Sequence, residues 1–149
     1  MPILEFPLDL PGVTRGALWA FHRDPAALER LTPPEKRIRV VERPKDMHAG
    51  ARVVLRVRQF GLWLTWISLI EVWEPETRFV DVQEKGPFAS WRHEHLFFEG
   101  RLLDRVDYEV PLSMVGGRLA DLALVRPDLE RMFAHRHRIT AGALGPRGA

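Results

Sequence analysis

The chain has 149 residues, 46% hydrophobic and 28% charged, with a formal net charge of +2 and no cysteine. That length suits one domain with a proper core, and the missing cysteine excludes disulfides, thiol catalysis and thiolate metal sites. No stretch approaches the ~20 apolar residues of a membrane span, and MPILEFPLDL carries Glu5, Pro7 and Asp9 where a signal peptide would be basic and then apolar. A cytoplasmic protein is expected.

Ile3 to Leu10 alternates weakly and predicts a first strand, broken by Pro11-Gly12. Thr14 can cap a short helix through about Phe21, with Leu18 and Phe21 inward, and Asp24-Pro25 restarts a second helix that ends near Leu31. Strands follow at Arg37–Arg43 and Ala51–Gln59; the second alternates Val53, Leu55 and Val57 with arginines. Gly61 turns the chain into Leu62–Val72, which is apolar on both faces and predicts a central strand covered on two sides. Trp63 and Trp73 are read on the face opposite Trp66, where Trp19 can cover them; an exposed tryptophan row would suggest a homodimer. Arg78–Glu84, Gly86–Phe98 and Arg101–Val110 complete the run of strands.

From about Met114 the period becomes helical, through Leu119, Leu122, Leu129, Met132, Phe133 and Ile139, and Pro127 should kink or restart that helix near Asp128. Gly116-Gly117 looks like its entry. The tail from Gly142 is rich in small residues and is expected to fray, which gives one domain over 1–141 and a flexible 142–149. Arg126, Arg131, Arg136, Arg138 and Arg147, with His135 and His137, read as a solvated helix face, and nucleic acid is not an expected partner. The fold class is α+β: about six to seven antiparallel strands in a curved sheet, two short helices after the first strand, and one long C-terminal helix gripped by the sheet.

GPFASWRHEHLFF, residues 86–98, is the most informative stretch. In a strand Trp91, His93, His95 and Phe97 share one face. A row mixing two imidazoles with two large rings suits a mostly apolar pocket that carries a few placed polar groups. Asp104 and Tyr108 share a face on the next strand. If that face lines a cavity, Asp104 can orient an imidazole and Tyr108 can donate a hydrogen bond.

The order of elements, together with Phe21-His22-Arg23-Asp24-Pro25, Glu74-Pro75, Gly86-Pro87-Phe88, Trp91-x-His93-x-His95-x-Phe97 and Arg126-Pro127-Asp128-Leu129, resembles the START-like helix-grip superfamily. The likeness is to a bacterial SRPBCC branch similar to polyketide cyclase/dehydrase proteins. It implies the helix-grip fold and a hydrophobic cavity. It leaves the activity open, because one fold hosts many functions.

The expected function is binding of a hydrophobic small molecule, lipid or polyketide-like, in a cavity between sheet and C-terminal helix, without catalysis. Its walls are expected from Trp66, Ile70, Trp91, His93, His95, Phe97, Tyr108, Leu129 and Phe133. The alternatives are a cyclase/dehydrase-type enzyme, with catalytic candidates His93, His95, Asp104 and Tyr108, and an interaction domain without ligand. His93 and His95 could begin a metal site that Asp104 completes, but two histidines among rings are a thin ligand set. No metal and no cofactor are expected. His135 and His137, two apart on a helix, cannot chelate together.

Overall fold

The computed structural model describes residues 3–59, 61–111 and 124–145. Seven strands, β1 (Ile3–Asp9), β2 (Ile38–Glu42), β3 (Arg52–Gln59), β4 (Leu62–Glu74), β5 (Arg78–Lys85), β6 (Ser90–Phe98) and β7 (Arg101–Glu109), form one curved antiparallel sheet in the order β1-β7-β6-β5-β4-β3-β2. Helices α1 (Arg15–Arg23) and α2 (Ala27–Leu31), followed by a 3₁₀ turn at Pro34–Lys36, lead from β1 at one edge to β2 at the other. The long helix α3 spans Arg126–Leu144. The α+β arrangement, a curved sheet gripping one long helix, is the expected one.

Local chemistry explains the boundaries. The Thr14 hydroxyl accepts a hydrogen bond from the Ala17 amide at 3.1 Å and opens α1. Asp24 does the same for the Ala26 amide at 2.9 Å, but it caps a turn, and α2 proper begins three residues later than Asp24, at Ala27. Pro127 sits in the first turn of α3, where its missing amide hydrogen costs nothing. Its place there agrees with the expected restart near Asp128. Leu119, Leu122 and Gly116-Gly117 lie outside the described residues. At its far end α3 continues through Gly142 to Leu144, beyond the expected start of the tail, and Leu144 packs against the core.

Two expectations for β4 are corrected. Its outer face is not covered: Trp63 is 41% exposed, and Thr65, Ile67 and Leu69 on the same face are only half-buried. Trp73 does not share a face with Trp63. A bulge between Ile70 and Val72 inserts Glu71 into the pairing with β5 and reverses the alternation beyond it. Trp73 thereby joins the concave side, pairs with Phe79, and meets Trp19 of α1 at a 4.7 Å ring separation. The expected cover by Trp19 exists, for Trp73 alone.

The core forms two apolar clusters. Leu18, Trp19, Ile70, Phe79, Phe97 and Leu102 build one beneath α1, with Ala141 and Leu144 of α3 packed on it. Trp91, Val106, Tyr108, Leu129 and Phe133 build the other, and Phe6 stacks on Phe133 at 4.5 Å. Leu18 is fully buried, so Leu18→Ala should lower unfolding free energy by about 2–5 kcal/mol. Trp63→Ser should change it by no more than about 0.5 kcal/mol. Paired urea melts check both, and equal effects would contradict this placement of the core.

Candidate functional site

Strand parity and register assemble a polar layer between the two clusters. On β6, Trp91 belongs to one cluster and Phe97 to the other, with His93 and His95 between them; on β7, Asp104 lies between Leu102 and Val106. Asp81 of β5 is the direct cross-strand partner of His93, and Asp104 of β7 is that of His95. The short hydrogen bonds run along the diagonals, which lie within side-chain reach. His93 Nε2 bonds Asp104 Oδ1 at 2.7 Å, and His95 Nε2 bonds Asp81 Oδ2 at 2.7 Å. The remaining ring nitrogens face the other carboxylate: His93 Nδ1 lies 3.6 Å from Asp81 Oδ2, and His95 Nδ1 lies 3.6 Å from Asp104 Oδ1. The two rings stack at 3.6 Å.

Helix α3 closes this layer. His137 Nε2 bonds the second oxygen of Asp104 at 2.8 Å. Arg136 lies over the Phe133 ring, and among the described residues its Nε has no hydrogen-bond partner. The Thr140 hydroxyl donates to the Arg136 carbonyl at 2.9 Å and lies 3.3 Å from His22 Nε2. Arg136 and His137 therefore turn inward, while Arg131 and Arg138 stay exposed. The basic C-terminal cluster is not one solvated face.

Burial sets the protonation states. Burial, with His93 alongside, pushes the His95 imidazole down to about 4. Burial also lowers His22, whose Nδ1 hydrogen is donated to the Leu18 carbonyl at 2.9 Å. For Asp104 burial acts upward, but hydrogen bonds from His137 and His93 outweigh it and hold the carboxyl well below its usual range. Asp81 is lowered in the same way, against its burial, by the His95 bond and the neighbouring positive charges. Burial lowers Arg136 as well, opposed by Asp104 and Asp81.

Beside the polar layer lies a cavity of about 430 Å³, within the roughly 300–1,000 Å³ range of small-molecule sites. Val53, Leu55 and Val57 of β3, Leu64, Trp66 and Ile70 of β4, Leu28 and Leu31 of α2, and Leu129 and Met132 of α3 form its apolar walls. Trp66 meets Phe88 and Trp91 edge to face, and Phe88 tilts against Trp91, to make one aromatic wall. Asp81, His93, His95, His22 and Arg136 form a polar section of the lining, and the Lys36–Asp128 ion pair borders another part.

Of the residues expected in the site, Trp66, Ile70, Trp91, His93, His95 and Leu129 line this cavity. Phe97, Tyr108 and Phe133 are buried in the flanking clusters and do not. Asp104 lies behind the lining, bonded to His93. Tyr108 is fully buried against Phe88 and Trp91, so it is not placed to reach a ligand as the expected donor. Asp81, His22, Arg136 and His137 were missed. Asp81 alternates with Phe79 in Phe-Val-Asp-Val, a carboxylate on an apolar face, and His137 continues the Leu129–Phe133 spacing by one more turn. Both signals were present.

A curved sheet closed over one helix, with an apolar cavity and a polar section in its lining, defines a helix-grip domain. Residues 12–133 match the family described as polyketide cyclase/dehydrase and lipid transport, and the chain belongs to that family. Among solved structures it is similar to TTHA0849 from Thermus thermophilus (TM-score 0.71, 19% identity, covering 95% of this chain and 99% of that one). It is also similar to the Zhui aromatase/cyclase from Streptomyces sp. R1128 (0.72, 16%, 96% and 93%) and to ginseng major latex-like protein 151 from Panax ginseng (0.68, 12%, 97% and 98%). No curated protein matches the sequence. Among the described residues no helix is long and apolar enough to cross a membrane.

The buried histidines predict the response to acid. Their folded values lie below the ordinary 6.5, so the unfolded chain takes up protons first as pH falls. Their stabilising effect is complete above about pH 6.5 and declines towards the folded value, about 4 for His95. At 1.36 kcal/mol per unit, His95 alone accounts for up to ~3 kcal/mol. Asp81 and Asp104 lose their contribution at still lower pH, below the ordinary carboxylate value of 3.8. Urea unfolding from pH 7 to pH 4 should show this fall, and His95→Gln should flatten it; a slope unchanged in the variant would assign the titration elsewhere.

Proposed function

We propose that this protein binds a hydrophobic small molecule, lipid-like or polyketide-like, in the cavity between the sheet and α3, and does not transform it. The observation that carries the reading is the cavity itself: a large apolar volume walled by Trp66, Trp91, Leu55 and Leu129, with one polar section at Asp81, His93 and His95 and the Lys36–Asp128 ion pair at another. Such a lining suits a lipophile that carries a few polar groups. At roughly 0.3 kcal/mol per heavy atom, a ligand of about 20–25 atoms would bind with a Kd of micromolar to tens of micromolar.

The arrangement of the imidazoles argues against general-base catalysis. Both ring nitrogens of His93 and both of His95 face carboxylates rather than an open position. A His95 held near 4 is also a weak base at neutral pH. The relation to the Zhui aromatase/cyclase is one of fold. The reading takes the protein to be cytoplasmic, which fractionation of its host tests.

Ser68 is small, buried and part of the cavity lining. Ser68→Trp should fill the space and weaken binding of an apolar fluorophore such as anilinonaphthalene sulfonate by at least about tenfold, leaving the melting temperature within a few degrees. Medium-chain fatty acids or fused-ring phenols should displace the fluorophore from the wild type and be recovered chemically unchanged. Equal affinity in a folded Ser68→Trp protein would remove the cavity as the site; a converted ligand would replace binding with catalysis.

A further inference from the structure

His93 is held by Asp104 through Nε2, so its neutral form carries its hydrogen there and turns the Nδ1 lone pair toward Asp81 Oδ2, 3.6 Å away. A lone pair facing a carboxylate is repelled unless a positive charge lies between them. His95 Nε2 approaches the same Asp81 oxygen, while its Nδ1 is buried with no hydrogen-bond partner among the described residues. We infer that Asp81, His93 and His95 form a binding site for one divalent first-row transition-metal ion of the zinc or ferrous class, with Asp81 Oδ2, His93 Nδ1 and His95 Nε2 as ligands.

The geometry is close to what such an ion needs. One ligand atom from each of the three residues lies within 4.8 Å of the others. Ligands at ~2.1 Å from a tetrahedral ion stand about 3.4 Å apart. The Asp81–His95 and Asp81–His93 separations, 2.7 and 3.6 Å, bracket that value. Two imidazoles and one carboxylate make a borderline donor set suited to Zn²⁺, Fe²⁺ or Co²⁺ rather than to Ca²⁺ or Mg²⁺. All three residues line the cavity, so three protein ligands leave coordination positions for a molecule bound there.

The surrounding groups support the same assignment. With Nε2 of His95 bound to metal, its ring hydrogen moves to Nδ1, which faces Asp104 Oδ1 at 3.6 Å. The buried nitrogen then gains an acceptor. Asp104 becomes the common acceptor for His93, His95 and His137, the carboxylate–histidine–metal arrangement that orients ligands in metal sites. Asp81 and Asp104 set against Arg136 leave one net negative charge before a dication enters, and the nearby guanidinium limits affinity without cancelling it. The inference does not depend on any lipophile occupying the cavity.

The test uses the full chain without a histidine tag, dialysed against Zn²⁺ or Co²⁺, desalted, and assayed for metal by mass spectrometry. One equivalent per chain is expected, with visible Co²⁺ absorption bands and a rise in melting temperature on loading. Asp81→Asn and His95→Ala should each weaken binding at least about tenfold, Asp104→Asn by about 10–100-fold, and His48→Ala, at an exposed position, not at all. Should a variant fail to fold, nitrogen NMR of the wild type decides alone: Zn²⁺ must shift one ring nitrogen on each of two histidines. Sub-stoichiometric retention, loading insensitive to the Asp81 and His95 changes, or a His93 carrying hydrogens on both nitrogens in the presence of Zn²⁺ would overturn the inference.

Discussion

Asp104, buried beneath a helix, and Asp81, half-buried beside it, must be compensated, and much of this structure follows from how that is done. Asp104 is 5% exposed at its side chain and accepts hydrogen bonds from two directions, His93 in the sheet and His137 in the helix. A carboxylate in that position is tolerable only while both partners remain, since breaking a buried ionic network by removing one member costs about 3–5 kcal/mol. Asp104 therefore ties α3 to β7 and β6 at one fixed height. Asp81 extends the same layer to β5. The network confers registry more than net stability: apolar side chains could fill the volume, but they would not specify which turn of the helix sits over which pair of strands.

The apolar clusters complete that arrangement. Phe133 and Leu129 precede His137 on α3 and pack with Trp91, Val106 and Tyr108; Ala141 and Leu144 follow it and pack with the Trp19–Phe97 cluster. Sheet curvature does the rest. The strands that end at β2 border a volume which α2 and the first turns of α3 enclose without filling. The polar layer is therefore both a structural clamp and part of the cavity wall, so a bound molecule would sit against groups whose positions are already determined.

The strands, the helices and their order were legible because period-2 and period-3.6 patterns in this chain are interrupted by Gly, Pro and well-placed caps, as at Thr14, Gly61 and Gly100. The Trp91–Phe97 row was legible for the same reason. What failed was anything that depended on irregularity or on pairing between segments. The face of Trp73 was misread because a bulge at Glu71 reverses the alternation, and nothing in Ile-Glu-Val-Trp marks the extra residue. Asp81 was missed because its meeting with His93 depends on how β5 and β6 align across the Gly86–Ala89 turn. Tyr108 has the expected parity and pairs with Trp91, a lining residue, yet its own ring is fully buried in the cluster with Phe88 and Trp91. Face is a local property; which neighbours cover a side chain on that face is not.

The measurement that tests the central claim most directly is native mass spectrometry of the protein purified from its own host, with organic extraction of whatever accompanies it. The account predicts a hydrophobic adduct of one molecule per chain that is lost on extraction and rebinds to the emptied protein. A protein that emerges empty and takes up no member of a broad panel of lipophiles would contradict it.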